Sequence, residues 1–261
     1  MEILKAHLTK NDCYKAAKKA NHIGILVHST GAVNKNLKRY VDSPERLGKN
    51  QYDNHWNRSG TDKCVHAFIG YDKDKKVIVA ETLPLEYACW GSGKGKNGSY
   101  NYNPTAHIQF EICQGSNTDE EYYKQAIAVA EEYCAHLCQQ HGWTAENITS
   151  HREAAEAGYA SNHGDPCSWM KHFDDSMDKF RARVAKRLNG EGSQVVVNTT
   201  QSAPTKPTAK YPTYTVQRGD SLWTIAREQL GKGTRYREIM ELNGLKSDLI
   251  KAGEVIKLPV K

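Results

Sequence analysis

The sequence has no long hydrophobic run. No apolar stretch approaches the roughly 20 residues that a membrane-spanning helix requires, so no membrane partner is expected. The first residues, MEILKAHLTKNDCYKAAKK, have neither a sustained apolar core nor a small-residue cleavage site. A secretory signal is therefore not expected, and the chain reads as a soluble product made in the cytoplasm. The seven cysteines are odd in number and scattered, which argues against a disulfide framework and for buried thiols. No internal repeat is evident. Charge of neither sign dominates: 36 Lys and Arg against 30 Asp and Glu give a net +6. That excess suits anionic partners in general and selects none, and no nucleic-acid reading motif accompanies it. With 38% hydrophobic and 9% aromatic residues, the chain can build a core and is not wholly disordered. Its 261 residues suffice for one large domain or two smaller ones.

What the chain does have is a dense stretch from His151 to Cys167, HREAAEAGYASNHGDPC. Gly158 and Gly164 make it a poor helix interior, so it reads as a loop. Its imidazoles and carboxylate can converge on one point. Neutral imidazole and carboxylate ligate zinc, which in catalytic sites takes three protein ligands and keeps one position open. The stretch offers two histidines, His151 and His163, and two other metal-binding ends, Asp165 and Cys167, but two ligands from one loop are not a site. His28, at the end of the apolar run GILVHS, is the candidate third.

Residues 1–189 read as one α/β domain. Ile23–His28 is a short buried strand, and Ser43-Pro44-Glu45 is a possible helix start. Cys64–Tyr71 and Val77–Leu83, joined by the charged turn DKDKK, form a hairpin. GSGKGKNGSYNY, from Gly91 to Tyr102, is a loop without a phosphate-binding pattern, read as a flexible segment beside the substrate. His107–Cys113 alternates, placing His107, Gln109 and Glu111 on one face and Ile108, Phe110 and Ile112 on the other. A helix runs from Thr118 to His141, with Thr118 and Glu121 as a capping-box pair. On it Cys134, Cys138 and His141 have metal-face spacing, though buried cysteine on a core stripe is the commoner arrangement. Ser176–Leu188 is a basic amphipathic helix. Residues 190–212, rich in Gly, Ser, Thr and Pro, are a linker. Residues 213–261 form a small βααβ module.

That module closely resembles the LysM domain through YTVQRGDSLWTIA, NGL and AGEVIKLP. The resemblance implies binding to N-acetylglucosamine-containing glycan, mostly of peptidoglycan. The groove would lie between Gly219, Asp220, Ser221 and Leu222 on one side and Asn243, Gly244 and Leu245 on the other. Residues 20–188 resemble the zinc-dependent N-acetylmuramoyl-L-alanine amidases related to peptidoglycan recognition proteins. The implied fold is a mixed β-sheet flanked by helices. His28, His151 and Asp165 match the three Zn2+ ligands, and Glu111 matches a glutamate on the central strand. Val65-His66-Ala67-Phe68 and Cys89-Trp90-Gly91 resemble two cleft segments, with glycine at Gly91 where histidine is usual. His66, Trp90 and His107 are candidate substrate contacts. His163, two residues before Asp165, is a candidate for donating to an oxyanion.

The resemblance implies an amidase tethered to a wall-binding module, cutting between N-acetylmuramic acid and the L-alanine of the stem peptide. Monomers are expected. The domain order is similar to that of phage or prophage endolysins released through a holin. A bacterial autolysin with the same activity and a non-catalytic peptidoglycan binder are the alternatives.

Overall fold

The computed structural model describes residues 1–190, 212–216, 222–230, 235–243, 245 and 255–259. The chain divides into two compact units, Met1–Val195 and Val196–Lys261. In the first, the elements run β1 (Ile3–Lys5), α1 (Asp12–Ala16), β2 (Ile25–Ser29), α2 (Pro44–Leu47), β3 (Ala67–Tyr71), β4 (Val77–Glu81), β5 (Ile108–Ile112), α3 (Glu120–His141), β6 (Ile148–Ser150), α4 (His151–Glu156), α5 (Cys167–Met170) and α6 (Met177–Leu188). The strands form one sheet in the order β1-β4-β3-β5-β2-β6. Only the β3–β4 hairpin is antiparallel. This is the mixed sheet expected from the sequence.

Strand alternation sorts the residues between two faces. Ile25, Val27, Ile108, Phe110 and Ile112 enter the main core with Ala126, Ala130, Tyr133 and Leu137 of α3 and Phe180 and Val184 of α6. On the other face Phe68, Ile78 and Ala80 pack with Leu37, Tyr40 and Val41. His28 and Glu111 are register partners across the parallel β2–β5 pair, so they share a face.

Three local expectations change. α3 is capped by Asp119, not Thr118: the Asp119 carboxylate accepts from the Tyr122 N–H and is held by Lys35 at 2.7 Å. His151 lies not in a loop but at the first position of α4. There Ser150 and Glu153 form a capping box that overrides the glycines downstream. The cysteines are not all thiols, because Cys13 and Cys64 form a disulfide across a sequence separation of 51. Cys89, Cys113, Cys134 and Cys138 are buried thiols, as expected.

The arginines of α6 are paired within the domain. Arg183 and Arg187 pair with the buried Glu131, and Arg183 also with Asp175. Arg181 clamps Glu153 at 2.9 Å and so braces the start of α4.

In the second unit β7 (Thr213–Thr215) pairs antiparallel with β8 (Val255–Lys257), and α7 (Leu222–Leu230) and α8 (Tyr236–Leu242) lie between them in sequence. Val216, Leu222, Ile225, Ala226, Leu230, Ile239, Ile256 and Leu258 form its core. The βααβ order holds. Linker residues 191–211 lie outside the described residues.

Candidate active site

Three chain segments bring His28, His151 and Asp165 together. His28 comes from β2, His151 from the braced start of α4, and Asp165 from the turn before α5. Their ligand atoms lie within 4.8 Å of one another. His28 Nδ1 is 2.9 Å from His151 Nδ1, and the Asp165 carboxylate is 3.3 Å from the first and 3.5 Å from the second. The Ser29 N–H donates to Asp165 Oδ2 at 3.3 Å, fixing the carboxylate. Burial alone would raise the Asp165 carboxyl. The His151 and His28 rings beside it favour the ionised form and hold it well below the usual carboxylate range instead. Two imidazole nitrogens and an ionised carboxylate aimed at one point fit a metal ion that accepts nitrogen and oxygen donors. Cys167 is not part of this group, since its Sγ is directed to Ser150 Oγ at 3.4 Å.

The trio lies in an open cleft of about 570 Å³ that is also lined by Trp56, Lys63, Trp90, Glu111, His163 and Trp169. Glu111 Oε2 is buried and has no hydrogen-bond partner. An unpaired buried acceptor costs stability, and such atoms mark functional positions often enough to need a reason. Burial, reinforced by the Asp165 carboxylate, pushes the Glu111 carboxyl well above its ordinary value, against the pull of the Lys63 ammonium. His163 is exposed; its ring meets the His151 ring edge-on at 4.8 Å between centroids, and its Nδ1 is 3.4 Å from Ser161 Oγ. The arrangement offers a metal position, a carboxyl poised to exchange protons and an imidazole at the rim.

Residues 18–168 match the family model described as N-acetylmuramoyl-L-alanine amidase. The chain belongs to the N-acetylmuramoyl-L-alanine amidase family. Residues 214–259 match the LysM domain, so the amidase domain is followed by a LysM domain. Among curated relatives, the N-acetylmuramoyl-L-alanine amidase XlyB of Bacillus subtilis is 29% identical over 71% of this chain. The probable peptidoglycan endopeptidase LytE of the same species is 32% identical over 34% of it. The chain spans 51% of the first relative's length and 27% of the second's. A crystal structure of Staphylococcus aureus hydrolase AmiA with its ligand superposes with a TM-score of 0.51, at 19% identity, over 73% of this chain and 86% of that one. That likeness shows a shared fold.

Not all candidate residues of the amidase domain reach the cleft. Trp90 does. His66 does not: it is fully buried, with Nε2 2.8 Å from the Tyr87 carbonyl and Nδ1 accepting from the Gln109 N–H at 3.0 Å. His107 does not line it either; its Nδ1 is 2.7 Å from the Thr105 carbonyl and its ring stacks on Tyr100 at 4.0 Å. It packs so closely over Gly24 that a Cβ there would lie 2.9 Å from its Nε2. The Cys134–Cys138–His141 face holds no metal group among the described residues. Both thiols are in the core, and His141 stacks on Trp143. Trp56, Lys63 and Trp169 line the cleft unannounced by any motif, and Gln109, behind His28, was signalled only by sharing a face with Glu111.

In the LysM domain, Leu222 is a core residue, and Leu245 packs against that core. Asn243 staples α8 to β8, donating to the Ile239 and Lys257 carbonyls at 2.7 and 2.8 Å and accepting from the Lys257 N–H at 2.7 Å. Gly219, Asp220, Ser221 and Gly244 lie outside the described residues.

Burial of His66 has a measurable consequence. Desolvation lowers it from 6.5 to about 4, despite the hydrogen bond to the Tyr87 carbonyl that opposes the shift. The unfolded chain therefore binds this proton more readily than the folded one. The stabilisation is complete above pH 6.5 and is lost as pH falls towards 4, at about 1.4 kcal/mol per pH unit and about 3 kcal/mol in all. His22, lowered to about 3 chiefly by burial, acts with the same sign. Urea denaturation between pH 7 and 5 should show this slope, and His66→Gln should flatten it. An unchanged slope in the variant would remove His66 from the account.

Proposed function

We propose that this chain is a zinc-dependent peptidoglycan hydrolase. It cuts the amide between the lactyl carbonyl of N-acetylmuramic acid and the L-alanine of the stem peptide. The observation that carries this is the convergence of His28, His151 and Asp165 beside the partnerless Oε2 of Glu111 in one open cleft. Zinc would be held by the two Nδ1 atoms and the Asp165 carboxylate. When bound, it supplies a Lewis acid for the carbonyl and lowers the pKa of water towards neutrality.

The chain's own groups do the rest. Glu111 takes the proton from the attacking water and returns it to the departing L-alanine nitrogen, acting as general base and then general acid. A carboxyl raised by burial is suited to both halves of that exchange. His163 donates to the developing oxyanion from the rim, a role worth about 3–4 kcal/mol where such donors have been removed. Trp56 and Trp90 wall the cleft against the muramyl group. The LysM domain binds N-acetylglucosamine-containing glycan through Gly219, Asp220, Ser221 and Gly244, while Leu222, Asn243 and Leu245 serve the fold. The 190–212 segment acts as a tether that raises the local concentration of wall at the cleft. Among the described residues no helix is long and apolar enough to cross a membrane. The site of action proposed is the cell wall, for a lysin of phage or bacterial origin reached through holin-type release or export.

Digestion of purified peptidoglycan decides the linkage. New L-alanine amino termini without new reducing sugars, lost on chelation and restored by zinc, are the expected products. Reducing ends would mean a glycosidase and overturn the assignment.

A further inference from the structure

Behind each histidine of the metal trio stands a partner whose role traces back to a backbone group. Backbone groups cannot exchange donor and acceptor roles, so each chain of bonds can be read outward from them. The Tyr100 carbonyl only accepts, so Gln109 Nε2 donates to it at 3.2 Å and to Asn101 Oδ1 at 3.1 Å. Asn101 Oδ1 is fixed as the acceptor because the Ser92 N–H, which only donates, reaches it at 3.0 Å; Ser92 Oγ adds a donation at 2.9 Å. Gln109 Oε1 is then the atom that faces His28 Nε2 at 3.1 Å, and that nitrogen must carry the proton.

The second arm starts from the Ser92 carbonyl. It accepts from the Ser161 N–H at 2.9 Å and from Ser161 Oγ at 3.2 Å. Ser161 Oγ also lies 3.4 Å from His163 Nδ1; with its one proton on the nearer Ser92 carbonyl, it accepts from His151 Nε2 at 3.3 Å. His151 is therefore protonated on Nε2 as well. Both rings present bare Nδ1 lone pairs to the same point.

We propose that Ser92 sets the tautomer of both metal-binding histidines, through Asn101 and Gln109 to His28 and through Ser161 to His151. The proposal rests on the zinc reading of this site and adds what holds its ligands ready. Gln109 and Ser161 act as positioning residues. Ser92 and Gln109 are fully buried, so solvent cannot replace a lost partner. Gly91 belongs to the same device: a Cβ there would lie 2.6 Å from Gln109 Oε1. The glycine-rich stretch that reads as a flexible substrate loop is thus part of the ligand frame.

The test uses the full-length protein. Long-range proton–nitrogen spectra of 15N-histidine-labelled protein read the tautomers with and without zinc. Competition against a chromophoric chelator reads zinc affinity. Both rings should be protonated on Nε2 in either state. Gln109→Met should weaken zinc binding by about 10–100-fold and shift the His28 signals, while Ser161→Ala does the same for His151. Ser161→Thr, which keeps the hydroxyl, should restore near wild-type affinity, and this pair decides the matter if Gln109→Met does not fold. Wild-type zinc affinity in Gln109→Met and Ser161→Ala, or an Nδ1–H tautomer of His28 in the metal-free protein, overturns the proposal. Failure of the wild-type chain to take up zinc would sink the zinc reading alone, because the metal-free spectrum still decides the tautomers.

Discussion

Glu111→Gln is expected to lower kcat by about 10²–10⁴-fold, the usual span for a lost acid–base group, with zinc content unchanged. The substitution keeps the size and shape of the side chain. Position 111 stays in register with His28 on the neighbouring strand, so the ligand geometry has no reason to move. Glu111 Oε2 has no hydrogen-bond partner, so exchange to an amide breaks no bond there. The fold should therefore survive, and the loss should appear in turnover rather than in thermal stability. What disappears is the capacity to take a proton from water and hand it on. Activity within a few-fold of wild type would remove Glu111 from the mechanism and leave its buried, unpaired oxygen unexplained. His163→Ala makes the useful contrast: a slower enzyme that still has its metal and its base.

His28→Ala and Asp165→Ala should each lose zinc and activity together. Three protein ligands are few, and the loss of one should cost more than the 10–100-fold typical of an outer-shell partner. Asp165 carries the ionised charge in the trio, and His151 and His28 hold it well below the usual carboxylate range. Without it, two imidazoles remain with no anion to balance a dication. Without His28, the lone pair 2.9 Å from His151 Nδ1 is gone. Metal analysis after dialysis, beside circular dichroism to verify folding, separates ligand loss from unfolding. Full zinc occupancy in either folded variant would break the ligand assignment.

Much of this was legible because it is periodic. The alternation of residues 107–113 separated the core side chains of β5 from the face that carries Glu111, and the stripe of α3 showed what that helix buries. The trio was legible through residue type and the resemblance of its flanking segments. What the sequence concealed is long-range. His66 alternates as a cleft residue would, but the carbonyl that claims it belongs to Tyr87, on a separate loop. Cys13 and Cys64 are too far apart in sequence for any local pattern to pair them. The helix start at His151 was in fact written locally, in Ser150 and Glu153, and the glycines downstream obscured it. Strands β1 and β6 span three residues each, too few for a period to show. Ser161 gave no signal, because its role depends on a carbonyl at Ser92.

The shared ladder of β2 and β5 also fixes how this domain can change. Successive side chains of a strand point to opposite faces, so the chemistry is stored as parity. Deleting one residue from the start of β5 would turn Glu111 towards α3 and carry Phe110 towards the cleft. Insertions in the loops before and after the strands leave that parity untouched. Lineages can therefore lengthen the cleft rims where these carry neither the frame of residues 91–101 nor the Asp165 turn, whereas the strands beneath tolerate only substitutions.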